Sequence, residues 1–351
     1  MKLAIDASRS VDRIQKTGVE VVSDALLKAL EATKPAGVEI AYYTPELISW
    51  LPRSAQRILP FRRFWTLIHL SRALWQDRPD ALFVPVHNIP LWVPKQVVRI
   101  IHDISSYRTP EAYAWKERVL IKRDAERAKR LCKTVFVPTE AVKQDLIQLV
   151  GYAPNNVVVT GWALDEASIP PVVSVQKEAQ KPYLLFIGRI EEKKNVRVLI
   201  EAFRIFKMAH ADWELVLVGK PGHGFETIQP LLQESGVKHL GYVETSEKWN
   251  LLRGAKAVVI PSKEEGFSFP MLEAFYAGTP VVASDIPPLH DVGGAACVYV
   301  SPTDAAAIAA GVDRCVSDEA LRAKLMAAGK ERLKLFSWER IAQQVWKAFG
   351  V

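Results

Sequence analysis

Cysteine is scarce: the 351 residues hold three, Cys132, Cys297 and Cys315. An odd number at wide spacing argues against a disulfide framework and against a zinc site, and fits free thiols in a reducing cytoplasm. Long apolar runs are also missing. No stretch reaches the roughly 18–20 residues that a membrane span needs. The opening MKLAIDASRS has one lysine and a short apolar run broken by Asp6, so the long core of a signal peptide is absent too. No charge sign dominates, with 46 Lys and Arg against 39 Asp and Glu. The basic segments carry no recognisable nucleic-acid-binding motif, which argues against a nucleic-acid partner.

What is present is an ordinary globular composition, 49% hydrophobic and 24% charged, in a chain long enough for two domains. The net charge of +7 is uneven: residues 1–180 hold 25 basic against 19 acidic side chains, residues 181–351 hold 21 against 20. A basic half beside a neutral one fits either an anionic partner or a solvated basic face.

Short apolar strands alternate with amphipathic helices, the pattern of an α/β fold with parallel sheets covered on both faces. In the first series, strands are predicted at 2–7, 81–86, 97–103, 134–139 and 157–161, with helices at 18–33 and 110–131. A second series begins near 183, with strands at 183–189, 214–220, 257–262 and 280–284 and helices at 195–209 and from about 270. The proline-containing stretch 167–182 reads as a linker. This gives two doubly wound, Rossmann-like domains, 1–166 and 183–335, with a final segment 336–351. In such sheets ligands bind outside the carboxyl ends of the strands, so the loops there carry the interest.

Two of those loops have chemistry. In FIGRIEEKKN (186–195) a strand ends at Gly188, Arg189 and Lys194 follow, and a helix starts near Asn195. A guanidinium fork, an ammonium and a helix N-terminus together suit a diphosphate. Alone, the loop reads more readily as a solvated basic turn with Asn195 as the helix cap. In PSKEEGFSFPMLEAF (261–275) Pro270 marks the first turn of a helix, and the amides of Phe267, Ser268 and Phe269 lie at its start. Gly266 allows close backbone approach. Glu265 precedes the helix and Glu273 is placed in its first turn. Each can accept two hydrogen bonds from a vicinal diol, although a first-turn glutamate also complements the helix dipole without any ligand. Glu264 is read as a surface charge.

Taken together, these motifs resemble the family 4 retaining glycosyltransferases of the GT-B fold. The carriers are GRIEEKKN, PSKEEGFSFPMLEAFYAGTPVVASD with glutamates eight apart, FSWERIAQQVWKAF (336–349), IDASRSVDRIQKTGVEVVSDALLKAL, IIHDISSYRTPEAY and RAKRLCKTVFVPTEAVKQDL, which span nearly the whole chain. The resemblance implies two domains facing across a cleft, with the last helix crossing back to the first. It implies that Arg189 and Lys194 bind the donor's diphosphate, that Glu273 holds the ribose, and that Glu265, with the backbone of Gly266 to Phe269, contacts the transferred sugar. Gly18 would bring the first domain's backbone to the phosphates, His102 would stand beside the donor sugar, and the loops near Lys220 to His223 and at Val243 would hold the base. His102 bonded to Asp103 in a core is the alternative, and His87 is a lesser candidate. No cofactor is implied. There is no Asp-x-Asp motif, and the reaction is expected to need no metal. Departures from the family pattern are Ser268 in place of glycine, TGWALDE before the linker in place of an asparagine-glycine turn, and no aromatic after Gly18.

The expected reaction moves a hexose, first of all mannose from GDP-mannose and next a hexose from a UDP donor, to a glycan or lipid-linked glycan acceptor in cell-surface polysaccharide synthesis. Segment 53–78 carries six arginines, one acid (Asp77) and Phe61, Phe64, Trp65 and Trp75. Segment 108–133 adds nine basic residues against four acids. Basic residues among aromatics suit an anionic membrane surface or a lipid pyrophosphate, and a cytoplasmic protein peripheral to the inner face of the plasma membrane is expected. The competing reading is a helix with its apolar side in the core and its arginines in water. Two other functions fit the same fold: a nucleotide-sugar epimerase, and a catalytically silent sugar-nucleotide-binding subunit.

Overall fold

The computed structural model describes residues 1–12, 17–61, 63–85, 88–108, 115–171 and 181–351. His87 and most of the expected linker lie outside the described residues. The chain divides into two compact units, Met1–Trp162 with Ser337–Val351, and Ala163–Phe336. The sequence places the first boundary at residue 166. The division falls earlier because Leu164 and Ile169 already pack on the core of the second unit, and Arg253 Nη2 donates to the Pro170 carbonyl at 2.9 Å.

The first unit is built on a seven-stranded parallel sheet in the order β3-β2-β1-β4-β5-β6-β7. The strands are β1 (Lys2–Asp6), β2 (Glu39–Thr44), β3 (Gln56–Ile58), β4 (Ala81–Val84), β5 (Gln96–Ile100), β6 (Thr134–Val137) and β7 (Val157–Val159). The helix Gly18–Ala32 starts on a capping arrangement: the Glu20 carboxylate accepts from the Thr17 amide at 2.7 Å and from its hydroxyl at 3.0 Å. The last helix, Trp338–Phe349, has a buried stripe of Ile341, Ala342, Val345, Trp346 and Phe349. It packs within this unit, where Trp346 Nε1 donates to Thr33 Oγ1 at 3.0 Å and Gln96 Nε2 to the Ala348 carbonyl at 3.1 Å.

The second unit has a six-stranded parallel sheet, β10-β9-β8-β11-β12-β13. Its strands are β8 (Tyr183–Ile187), β9 (Glu214–Val218), β10 (Val237–Gly241), β11 (Ala257–Ile260), β12 (Val281–Ser284) and β13 (Cys297–Val300). Side chains alternate between the two faces. Leu184, Phe186, Leu215, Leu217 and Val259 enter one core, while Tyr183, Leu185, Val216, Val218 and Val258 enter the other. A strand buried on both faces has to read as a continuous apolar run, and ELVLV and AVVI do. All three cysteines are free and buried, and burial pushes the Cys132 and Cys297 thiols up to about 12.

Both strand orders contain one reversal. In the first unit the chain winds outward from β1 to β3, then restarts on the other side at β4. In the second it winds from β8 to β10, then restarts at β11. The crevice outside the carboxyl ends of β8 and β11 is therefore a topological switch point, the place where doubly wound sheets bind ligands.

Candidate functional site

The two motifs leave the sheet of the second unit at that switch point, one after β8 and one after β11. Asn195 joins them. Its backbone is left-handed (φ 58°), a conformation asparagine tolerates better than most residues, and its side chain does not cap the helix that follows. Instead Nδ2 donates to the Pro261 carbonyl at 2.9 Å and to the Pro302 carbonyl at 2.6 Å. The Lys263 amide adds a bond to the Lys193 carbonyl at 2.9 Å. On its other side the first loop is laced to the segment after β9: Ile190 donates to Lys220, and Gly222 donates back to Ile190. Gly219 (φ 146°) makes this approach feasible, because a Cβ there would lie 1.8 Å from the Gly188 carbonyl oxygen.

This scaffold sets the charged groups. Lys194 Nζ lies 2.6 Å from Glu265 Oε1, and Ser262 Oγ donates to the same oxygen at 2.8 Å. The residues expected at the diphosphate and at the sugar are thus partners of each other here. Arg189 is exposed, and no partner for its guanidinium is found among the described residues. A carboxylate already neutralised by a lysine, next to an open guanidinium, leaves net positive charge at the head of the crevice, which suits a diphosphate.

The second loop enters the helix Phe269–Ala277, one residue before Pro270. Glu273 is its fifth residue and so stands in the second turn, not the first. Dipole complementation at the helix start is therefore not its role, since that effect fades within the first turn. Glu273 pairs instead with Lys248 of the helix Thr245–Gly254, Nζ to Oε1 at 2.7 Å. Ser268 is the residue before the helix, yet its hydroxyl does not cap it and is buried with no partner among the described residues. It does not project as added bulk into open space. Phe267 packs edge-on against Phe269 and Phe336, at ring distances of 5.4 and 5.8 Å. Gly266 does not use the left-handed region. Val243, between β10 and the Thr245–Gly254 helix, has its side chain in the core beside Trp249 and Leu252, so only its backbone is free to face a base. Lys220 lies over the Tyr242 ring at 5.2 Å.

The first unit's switch point carries its own groups. Gly18 is exposed at the start of its helix. His102, two residues past β5, is 8% exposed. Its Nε2 bonds to the Pro85 carbonyl at 3.0 Å and its ring lies 5.6 Å from Trp162, which stacks on Trp338 at 6.3 Å. Asp103 is exposed. Asp6, at the end of β1, is fully buried: Oδ1 accepts the Ser8 amide at 3.0 Å and Oδ2 has no partner among the described residues. Burial raises its pKa to about 6.

Ser262 and Lys248 escape the sequence reading. Ser262 stands three residues before Glu265, a turn spacing that could have flagged it. Lys248 meets Glu273 across 25 residues and between two helices, and no local pattern signals that.

The family model for glycosyl transferases group 1 matches residues 173–332. The chain is 29% identical to O-antigen chain mannosyltransferase B of Escherichia coli over 86% of its length and 82% of the relative's. It is 33% identical to an uncharacterized glycosyltransferase of Methanocaldococcus jannaschii over 72% of its length and 69% of the relative's. Among solved structures, a protein of Anabaena in complex with UDP and glucose superposes with a TM-score of 0.72 over 99% of both chains, at 17% identity. The fold is thus the GT-B fold of such enzymes, and the chain belongs to the group 1 glycosyltransferases.

Proposed function

We propose that the chain is a retaining hexosyltransferase that uses a nucleotide-diphosphate sugar, GDP-mannose before a UDP-hexose, and elongates a glycan or lipid-linked glycan during cell-surface polysaccharide synthesis. The observation that carries this is the joining of the two loops at one switch point, with open Arg189 beside the Lys194–Glu265 pair. The kinship with an O-antigen mannosyltransferase supports the sugar and the process.

Arg189 and Lys194 take the charge that develops on the leaving diphosphate, so the route needs no metal. Glu265 holds the transferred sugar, with the backbone from Gly266 to Phe269 alongside. Glu273 holds the ribose. Gly18 and His102 are assigned to the reaction by the family resemblance. The departing phosphate oxygen can take the acceptor hydroxyl's proton on the face that the leaving group vacates, which retains configuration without a protein nucleophile. Arg189→Ala should lower turnover of GDP-mannose by about 10²–10³-fold, the usual cost of one donor to a developing oxyanion. Undiminished turnover in a folded variant would sink the assignment.

The acceptor side is proposed to meet an anionic membrane surface through 53–78. Among the described residues no helix is long and apolar enough to cross a membrane. In this segment Trp65, Leu70 and Leu74 enter the core, while Phe61, Phe64, Ile68 and Trp75 are each about half exposed. Arg63 lies over the Phe64 ring and Arg78 over Trp75 and Trp92. Arg62 lies outside the described residues. Apolar side chains among cations match an interfacial surface. The protein should pellet with anionic liposomes at low salt and be released as salt rises; failure to pellet at low salt refutes the membrane contact.

A further inference from the structure

Each of the two carboxylates eight residues apart is gripped in the same way. Glu265 is held through Oε1 by Lys194 and Ser262, and Glu273 through Oε1 by Lys248. In both, Oε2 has no partner among the described residues. The lysines come from different elements, one from the loop after β8 and one from the helix Thr245–Gly254. That helix continues directly from the Tyr242–Glu244 segment expected to face the base.

An ion pair between exposed side chains is usually worth little. This one is not exposed in that sense: the Glu273 side chain is 13% exposed and Lys248 is 26% exposed. Lys248 is further confined by the Trp249 ring, 5.8 Å from Nζ. A carboxylate held through one oxygen in a largely buried setting has fewer orientations open to it, so its second oxygen is confined to a narrower range of directions. A vicinal diol needs both hydroxyl donors to converge on such an acceptor, so the clamp supplies orientation before the ligand arrives.

We propose that Lys248 is a positioning residue of the nucleoside half of the site, which orients Glu273 to read the ribose diol. This rests on the reading of Glu273 as the ribose residue, and the test separates the two. The quantity to measure is the ratio of affinities for GDP and 2′-deoxy-GDP, and for UDP and 2′-deoxy-UDP, by calorimetry. A merely structural role would weaken the ribo and deoxy forms alike and leave the ratio unchanged.

Wild-type protein should favour the ribo form by on the order of tenfold, the scale of one oriented hydrogen bond to a charged group. Glu273→Gln and Lys248→Met should each bring the ratio close to one, and the double variant should be no worse than either single. Lys248→Arg should keep most of the preference; if Lys248→Met does not fold, Lys248→Gln takes its place, and a folded Lys248→Gln protein that keeps the full ratio overturns the proposal. A Lys248→Met protein that folds and keeps the full ratio, while Glu273→Gln loses it, overturns the role of Lys248. A ratio that survives Glu273→Gln, or no nucleotide binding in wild type, overturns the ribose reading and the role of Lys248 with it.

Discussion

At the scale of single residues, what the sequence shows well is chemistry, and what it shows poorly is pairing. Arg189, Lys194, Glu265 and Glu273 are visible because they are charged, sit in loops or early helix turns, and repeat a spacing. That Lys194 and Glu265 hold one another is not visible, because 71 residues separate them and only the fold brings them to one switch point. Ser268 is a case the sequence does not announce: it stands in place of the family's glycine, and its hydroxyl is buried with no partner among the described residues. Asp6 is another, since nothing in MKLAID announces a buried acid. Its raised pKa has a definite consequence. A carboxyl whose folded pKa (about 6) exceeds its ordinary value (3.8) gives stability that is complete below the ordinary value and is lost as pH rises through the folded one. The difference is worth ~3 kcal/mol. Asp6→Asn should therefore raise the melting temperature at pH 8 and make little difference at pH 4. A variant that gains nothing at pH 8 would show that the ionised carboxylate costs the fold nothing.

At the scale of elements, legibility follows burial. Strands in the middle of a sheet are covered on both faces and read as apolar runs, so β1, β4, β5, β6, β8, β9, β11 and β12 are all legible within a few residues, and the edge strand β7 is legible too because VVV is itself an apolar run. Of the four strands that are not, β3, β10 and β13 are sheet edges. An edge strand is short and half wet, and VKHLG of β10 alternates intermediate and exposed positions with no apolar run. The fourth, β2, is EIAYYT, in which two polar-tipped tyrosines interrupt the apolar run although both are buried, their hydroxyls bonded to Glu31 and Asp77. Strand ends were overrun for a common reason. The predicted strand at 97–103 stops at Ile100, and 183–189 stops at Ile187, because the chain there already turns into the loops that carry His102 and Arg189. Asn195 shows how far local logic can mislead. A polar residue before a helix reads as its cap, but the left-handed backbone turns its amide to the Pro261 and Pro302 carbonyls. The helix start is thereby tied to the neighbouring strand's loop, which sets the spacing between the two motifs.

At the scale of the whole molecule, the alternation of strands and helices in two series was enough to foresee two parallel-sheet units. Their boundary was less legible, since it depends on where Leu164 and Ile169 pack, and the proline-rich composition of the following stretch pointed past it. The function is legible from the second unit's switch point, and the excess basic charge of the first half is carried by surfaces such as 53–78, where cations and aromatics are exposed together. The account's central claim is that the crevice outside β8 and β11 binds the diphosphate of a nucleotide sugar. Calorimetric titration of GDP-mannose and of a UDP-hexose into wild-type protein and into Arg189→Ala tests it most directly. The account predicts one site per chain for at least one of the two donors, weakened by on the order of tenfold or more in the variant, the loss expected for one charge-assisted contact to phosphate. Equal affinity in both proteins, or no binding of either donor to wild type, would contradict it.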